Sequence, residues 1–120
     1  MRIINLKTTS LEVPLEKALL NVTKTRATLQ IIVLRVETDE GLVGHGYTYT
    51  DGYGGHAIKA LLETDVLDLV RGRDPRDVKA LSAQVLWEIR HAGIGGITSL
   101  AVAALDLALW DVFTQSVGLP

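Results

Sequence analysis

Three histidines, His45, His56 and His91, and two helical carboxylates, Asp106 and Asp111, are the residues of this 120-residue chain whose types first invite a chemical reading. Imidazole titrates near neutrality, so a well-placed histidine serves as acid, base or metal ligand. None of the three has a partner at a metal-binding spacing such as His-Glu-x-x-His. A lone histidine inside a strand, as His45 is, is ordinarily packed and hydrogen-bonded. His56, beside a glycine-rich stretch, is the better candidate for ligand contact. Asp106 and Asp111 lie five apart, about 140° around a wheel of ~3.6 residues per turn, so they do not converge on one site. They are expected to be structural, partnered by capping donors, an arginine or the Trp110 indole.

The glycines fail the tests for phosphate binding. Gly44-His45-Gly46 follows a strand, but Tyr49 stands where a third glycine is needed, and no Gly-Lys-Ser/Thr occurs. No serine sits in a Gly-x-Ser-x-Gly elbow. With no cysteine there is no thiolate zinc site, disulfide or cysteine nucleophile, and a reducing cytoplasm is the expected setting. Twelve basic and 14 acidic residues give a net charge of -2, which supplies no cationic field for nucleic acid or anionic lipid. The first residues lack the apolar run of a signal peptide. The longest charge-free stretch after His91, Ala92 to Leu105, is 14 residues, too short for a bilayer, so no membrane span is expected.

The elements that must position these residues follow from periodicity. At 48% hydrophobic and 22% charged residues, the chain has the apolar surface for one folded domain, residues 1–120. Strands are expected over about 2–13, 29–38 and 43–49, the last two joined by the turn signal Asp39-Glu40-Gly41. Between the first two lies a long loop, Pro14 to Thr28, and after the third a glycine loop, Tyr49 to His56; long loops of this kind are commonly functional. Helices are expected over about 56–70, 75–90 and 98–117. Asp74-Pro75 would supply the N-cap and first residue of the second, and Thr98 or Ser99 the cap of the third. The buried stripe of the second helix is read as Val78, Leu81, Val85, Leu86 and Ile89. The third is apolar on every side and must be covered on every side, which three strands and two helices do not easily achieve. This points to a domain separated from a larger protein. Strands first and helices later is an α+β order, here a three-stranded antiparallel meander followed by three helices.

Two motifs carry a resemblance. The hairpin Val36-Glu37-Thr38-Asp39-Glu40-Gly41-Leu42-Val43-Gly44-His45-Gly46 resembles the second and third strands of the N-terminal domain in the mandelate racemase / muconate-lactonising branch of the enolase superfamily. The helix from Ala101 to Asp111, closing on Gly118-Leu119-Pro120, resembles that family's Ala-rich segment leading into a barrel. Phe113-Thr114-Gln115 departs from the usual small residue and lysine, and Tyr47 stands where many members carry glutamate, which points away from the muconate-lactonising and dipeptide-epimerase subgroups.

The resemblance implies a two-domain enzyme in which this α+β domain caps a (β/α)-barrel that is not in this chain. The family abstracts a proton α to a carboxylate with a Lys or His base, and magnesium stabilises the resulting enediolate. Base and magnesium ligands would be barrel residues beyond Pro120. The implied whole is a racemase, epimerase or acid-sugar dehydratase, homo-oligomeric, acting on a carboxylate-bearing small molecule. The two loops would close over the barrel mouth and select the substrate's distal end, with Lys24, Arg26, Tyr49, Tyr53 and His56 as the capping residues. The first loop carries Lys17, Lys24 and Arg26 against Glu16, a local charge of +2 suited to an anionic or polyhydroxylated substrate. The rival reading is a free-standing α+β binding or oligomerisation module without catalysis, with the third helix as its interface.

Overall fold

The computed structural model describes residues 1–20 and 25–120, with side chains described outside residues 17–27. Three strands, β1 (Ile3–Leu20), β2 (Thr25–Thr38) and β3 (Val43–Thr50), form an antiparallel meander in the order β1-β2-β3. Gly41 turns the second hairpin at φ +83°, a conformation costly for any residue with a Cβ. β3 alternates inward and outward over its whole length, with Gly44, Gly46, Thr48 and Thr50 facing inward.

The helices cover that inner face. α1 (Gly55–Leu61) runs without a break through a π-helical turn (Leu62–Val66) into α2 (Leu67–Val70). α3 (Val78–Glu88) ends in a 3₁₀ turn (Ile89–Ala92), and α4 (Ile97–Ser116) lies across β3 and β2. The core joins Ile32, Leu34 and Val36 of the sheet to Ile58, Leu62 and Val66, to Leu81 and Val85, and to Leu105 and Leu109, all fully buried. Gly44 and Gly46 let α4 approach β3 backbone to backbone: a Cβ at either would overlap a carbonyl oxygen of the helix. By length and composition α4 could cross a membrane, with mean hydropathy 1.6 over its most apolar window, but 44% of that window is buried inside the domain.

Several local expectations are corrected. The stretch read as a loop, Pro14 to Thr28, is largely strand: Pro14 pairs with Thr28, Leu19 with Arg26 and Leu20 with Thr25. Between Pro14 and Leu19 the register shifts, four residues of β1 standing against one of β2. That bulge breaks the alternation by which a strand is recognised, and an edge position tolerates the proline's missing N–H. Asp74-Pro75 does not open α3. Asp74 instead closes a turn, accepting the Arg76 backbone N–H at 2.9 Å and the Arg76 guanidinium at 2.6 Å, and the helix starts at Val78. The Arg76 guanidinium holds the Asp74 carboxyl down at about 2. Leu86 is 42% exposed and leaves the buried stripe of α3. Thr98 is no cap: it lies in the first turn of α4 and donates to the carbonyls of Gly93 and Gly95 at 2.9 and 3.0 Å. The α4 helix is covered on one side only: Leu105 and Leu109 are fully buried while Leu107 and Trp110 are 45% and 41% exposed.

The carboxylates of α4 are structural, with partners other than those expected. Asp106 accepts the Ser82 hydroxyl at 2.7 Å, tying α4 to α3. Asp111 accepts the backbone N–H of His45 at 2.7 Å, while Gln115 donates its side-chain amide to the Val43 carbonyl at 2.9 Å. His45 itself is not packed: its ring is 56% exposed on the outer face of the sheet, 3.7 Å from the Asp111 carboxylate.

Candidate functional site

The two segments singled out in the sequence leave the sheet at the same end. β3 ends at Thr50, opposite Gln30; beyond that level β1 and β2 continue as a two-stranded arm to Leu20 and Thr25. The glycine loop departs from the same place. Thr50 donates its hydroxyl to Gln30 Oε1 at 3.0 Å and accepts the Gly52 N–H at 3.2 Å. Gly52 and Gly54 have φ of +117° and +95°, conformations that L side chains rarely adopt. Gly55 lies so close to the Gln30 amide that a Cβ there would overlap it. Gln30 thus seats the start of α1 against the base of the arm.

This end gathers most of the expected capping residues. Tyr49 stands on the outer face of β3, opposite Ile31, and is 56% exposed. Tyr53 is 80% exposed in the glycine loop, and His56 is exposed in the first turn of α1. Arg26 is placed by its backbone, opposite Leu19 on the arm. Lys24 lies outside the described residues. His91, by contrast, lies in the 3₁₀ turn beside Asp65, Asp68 and Glu88 around an open cleft of about 460 Å³ on the helical layer. Among the described residues no group of three His, Cys, Asp or Glu side chains is placed to hold a metal ion.

A polar residue not singled out in the sequence ties the helical layer to the edge strand β1 within the three-stranded part of the sheet. Glu63, in the π-helical turn, accepts both the backbone N–H and the hydroxyl of Thr8 through one oxygen, each at 2.7 Å. Burial acts to raise its pKa, but the two Thr8 hydrogen bonds, with Lys59 and Lys7 nearby, hold the carboxyl below its usual range. Glu63 and Thr8 are 55 residues apart, and no local spacing announces the pair.

A family model for the N-terminal domain of mandelate racemase / muconate lactonizing enzyme matches residues 3–120. The chain is 34% identical over 83 residues to the 3,6-anhydro-alpha-L-galactonate cycloisomerase of Streptomyces coelicolor, covering 69% of this chain and 23% of that enzyme. It is 31% identical over 90 residues to the L-talarate/galactarate dehydratase of Salmonella typhimurium, covering 75% and 22% respectively. In three dimensions it is similar to a racemase from Streptomyces coelicolor A3(2) solved with bound magnesium, with a TM-score of 0.84 and 31% identity over 92% of this chain and 31% of that one. The chain therefore spans less than a quarter of the length of these curated relatives. With the meander, the helical layer and the family match over residues 3–120 in agreement, the chain belongs to the mandelate racemase / muconate lactonizing enzyme family of the enolase superfamily, as its N-terminal domain.

Proposed function

We propose that this domain caps the mouth of a (β/α)-barrel in a racemase, epimerase or acid-sugar dehydratase and selects the distal end of a carboxylate-bearing small-molecule substrate. The observation that supports this reading is that the arm and the glycine loop leave the sheet at one end, near which Tyr49, Tyr53 and His56 are each exposed. Tyrosine and histidine present both an apolar face and a hydrogen-bonding tip, which suits them to a polyhydroxylated chain. Lys24 and Arg26 belong to the same reading as cationic partners for the anionic end of a sugar acid.

The chemistry itself, removal of a proton α to the carboxylate in an enzyme that uses magnesium, is assigned to residues outside this chain. The described residues offer no ligand set for the metal, so no chemical step is assigned to them. Their contribution is to exclude water and fix the substrate's orientation. The same reading includes association between copies of the whole enzyme. Exposed Trp87, with the Arg90 guanidinium 4.0 Å above its ring, and Ile94, 87% exposed, are apolar groups suited to that contact.

The test is made in the whole enzyme. Replacing Tyr53 with Ala should alter relative kcat/KM between substrates that differ at their distal end by about 1 to 3 kcal/mol, with magnesium affinity unchanged. An unchanged substrate ranking would refute the capping role.

A further inference from the structure

We propose that Gln30 is the positioning residue of the glycine loop that carries Tyr53, an inference that rests on the capping role just given. Gln30 of β2 and Thr50, the last residue of β3, are direct cross-strand neighbours, and Thr50 faces the helical side of the sheet. Beyond Thr50 the chain has four residues, 51–54, before α1 opens at Gly55. The Gln30 side chain meets both ends of that span.

At the near end Thr50 donates its hydroxyl to Gln30 Oε1 at 3.0 Å, and the same hydroxyl oxygen accepts the Gly52 N–H at 3.2 Å. Donation to Gln30 commits the hydroxyl hydrogen and leaves the oxygen lone pairs for Gly52, so the two bonds are made together. At the far end Gly55 is buried against the Gln30 amide, where a Cβ would overlap its carbon, oxygen and nitrogen alike.

Between these ends Gly52 and Gly54 flank Tyr53, both at positive φ. Glycine loses more conformational freedom on folding than any other residue, so a span of this composition takes its course from where its ends are held. Gln30 holds them both. It touches no substrate in this proposal; it fixes where the loop begins and ends, and so where the exposed Tyr53 ring stands. A misplacement of about 1 Å in a substrate-contacting group is enough to alter which substrate is favoured.

The experiment compares Gln30→Leu, Gln30→Glu, Tyr53→Ala and the double variant of Gln30→Leu with Tyr53→Ala in the whole enzyme. It reads hydrogen exchange over residues 51–55, and kcat and KM for aldonate and aldarate pairs that differ only at the far carbon. Gln30→Leu keeps the bulk and removes the acceptor, and it should speed exchange over residues 51–55 about tenfold relative to α4. It should change the aldonate-to-aldarate preference by roughly 5-fold or more, mainly in KM, with magnesium affinity unchanged. Gln30→Glu keeps an acceptor oxygen at the same reach and should hold both readouts near wild type. In the Tyr53→Ala background Gln30→Leu should add no further change in preference, because the ring it positions is gone. If Gln30→Leu does not fold, Thr50→Val removes the hydroxyl with both its hydrogen bonds and should give the same shifts. A lowered Tm with wild-type exchange and wild-type preference would overturn the proposal, and so would a change in preference that persists in full without the Tyr53 ring. If Tyr53→Ala shifts the preference and Gln30→Leu does not, this inference fails alone; if neither does, the capping role fails with it.

Discussion

Gly46 of β3 lies against the main chain of Ala104 in α4, so closely that a Cβ on the glycine would overlap the Ala104 carbonyl oxygen and come within 2.7 Å of the Ala108 nitrogen. The glycine's φ is not positive, so the requirement is one of space and not of backbone freedom. A pair of glycines in a strand and a run of alanines in a helix are two halves of one contact.

Gly46→Ala should therefore destabilise the domain by at least about 1 to 3 kcal/mol, the range for overpacking, because the obstructing atoms are backbone and cannot rotate away. Gly41→Ala meets no atom within 4 Å and is opposed only by its φ, so its cost should be smaller. Thermal or urea unfolding of the two variants side by side measures the difference.

Asp74 gives a pH signature. Its pKa falls from the ordinary 3.8 to about 2 through the Arg76 guanidinium, so the stabilisation it provides is complete above the unfolded value and lost as pH drops from about 4 toward 2. Asp74→Asn should remove that contribution at neutral pH and converge with the parent protein near pH 2. The pair is largely exposed, so the effect should be small and should shrink in high salt. Urea midpoints at pH 7, 4 and 2, at two salt concentrations, test this.

The 120 residues alone should bind no magnesium tightly, since strong sites need several convergent oxygen ligands. Isothermal calorimetry should show no one-to-one binding at micromolar affinity. A clear micromolar site would require a ligand set within this chain and would contradict the capping assignment.

Trp110 stacks edge-on against Phe113, with ring centroids 5.5 Å apart, and stays 41% exposed in the domain; Leu107, Val117 and Leu119 on the same helix and its end are exposed as well. An apolar face of this kind should bind a hydrophobic dye in the isolated domain and should lose that binding in the whole enzyme. If the barrel covers the ring, Trp110→Ala should cost about 3 to 5 kcal/mol in the whole enzyme and distinctly less in the isolated domain. Equal costs in both settings would show that nothing further covers the helix.

What could be read from the sequence divides along physical lines. The hairpin around Gly41 was legible because turn chemistry and alternation are local, and the helices because Ile58, Leu62, Val66 and Leu81, Val85 repeat at helical spacing. The arm was not, because the bulge after Pro14 interrupts the period-two pattern. The partner of Asp111 was not foreseen and Glu63 was passed over for a shared reason: their partners, His45 and Thr8, are backbone donors 66 and 55 residues away, and any residue but proline supplies such a donor. The exposed Tyr49 and Tyr53 were legible through the glycines near them, whose freedom to adopt positive φ is visible in the sequence.

The hydrogen bonds that Asp111, Gln115 and Glu63 make to the outer strands have a consequence for assembly. A sheet with two free margins is a template on which another strand can polymerise. At His45 and Val43 on one margin and at Thr8 on the other, the groups an incoming strand would use are already occupied by side chains from the helical layer. Strand-by-strand growth is opposed at those points, which leaves side-chain surfaces as the favoured ground for contacts with other copies or domains. These can be remodelled one residue at a time without altering the meander.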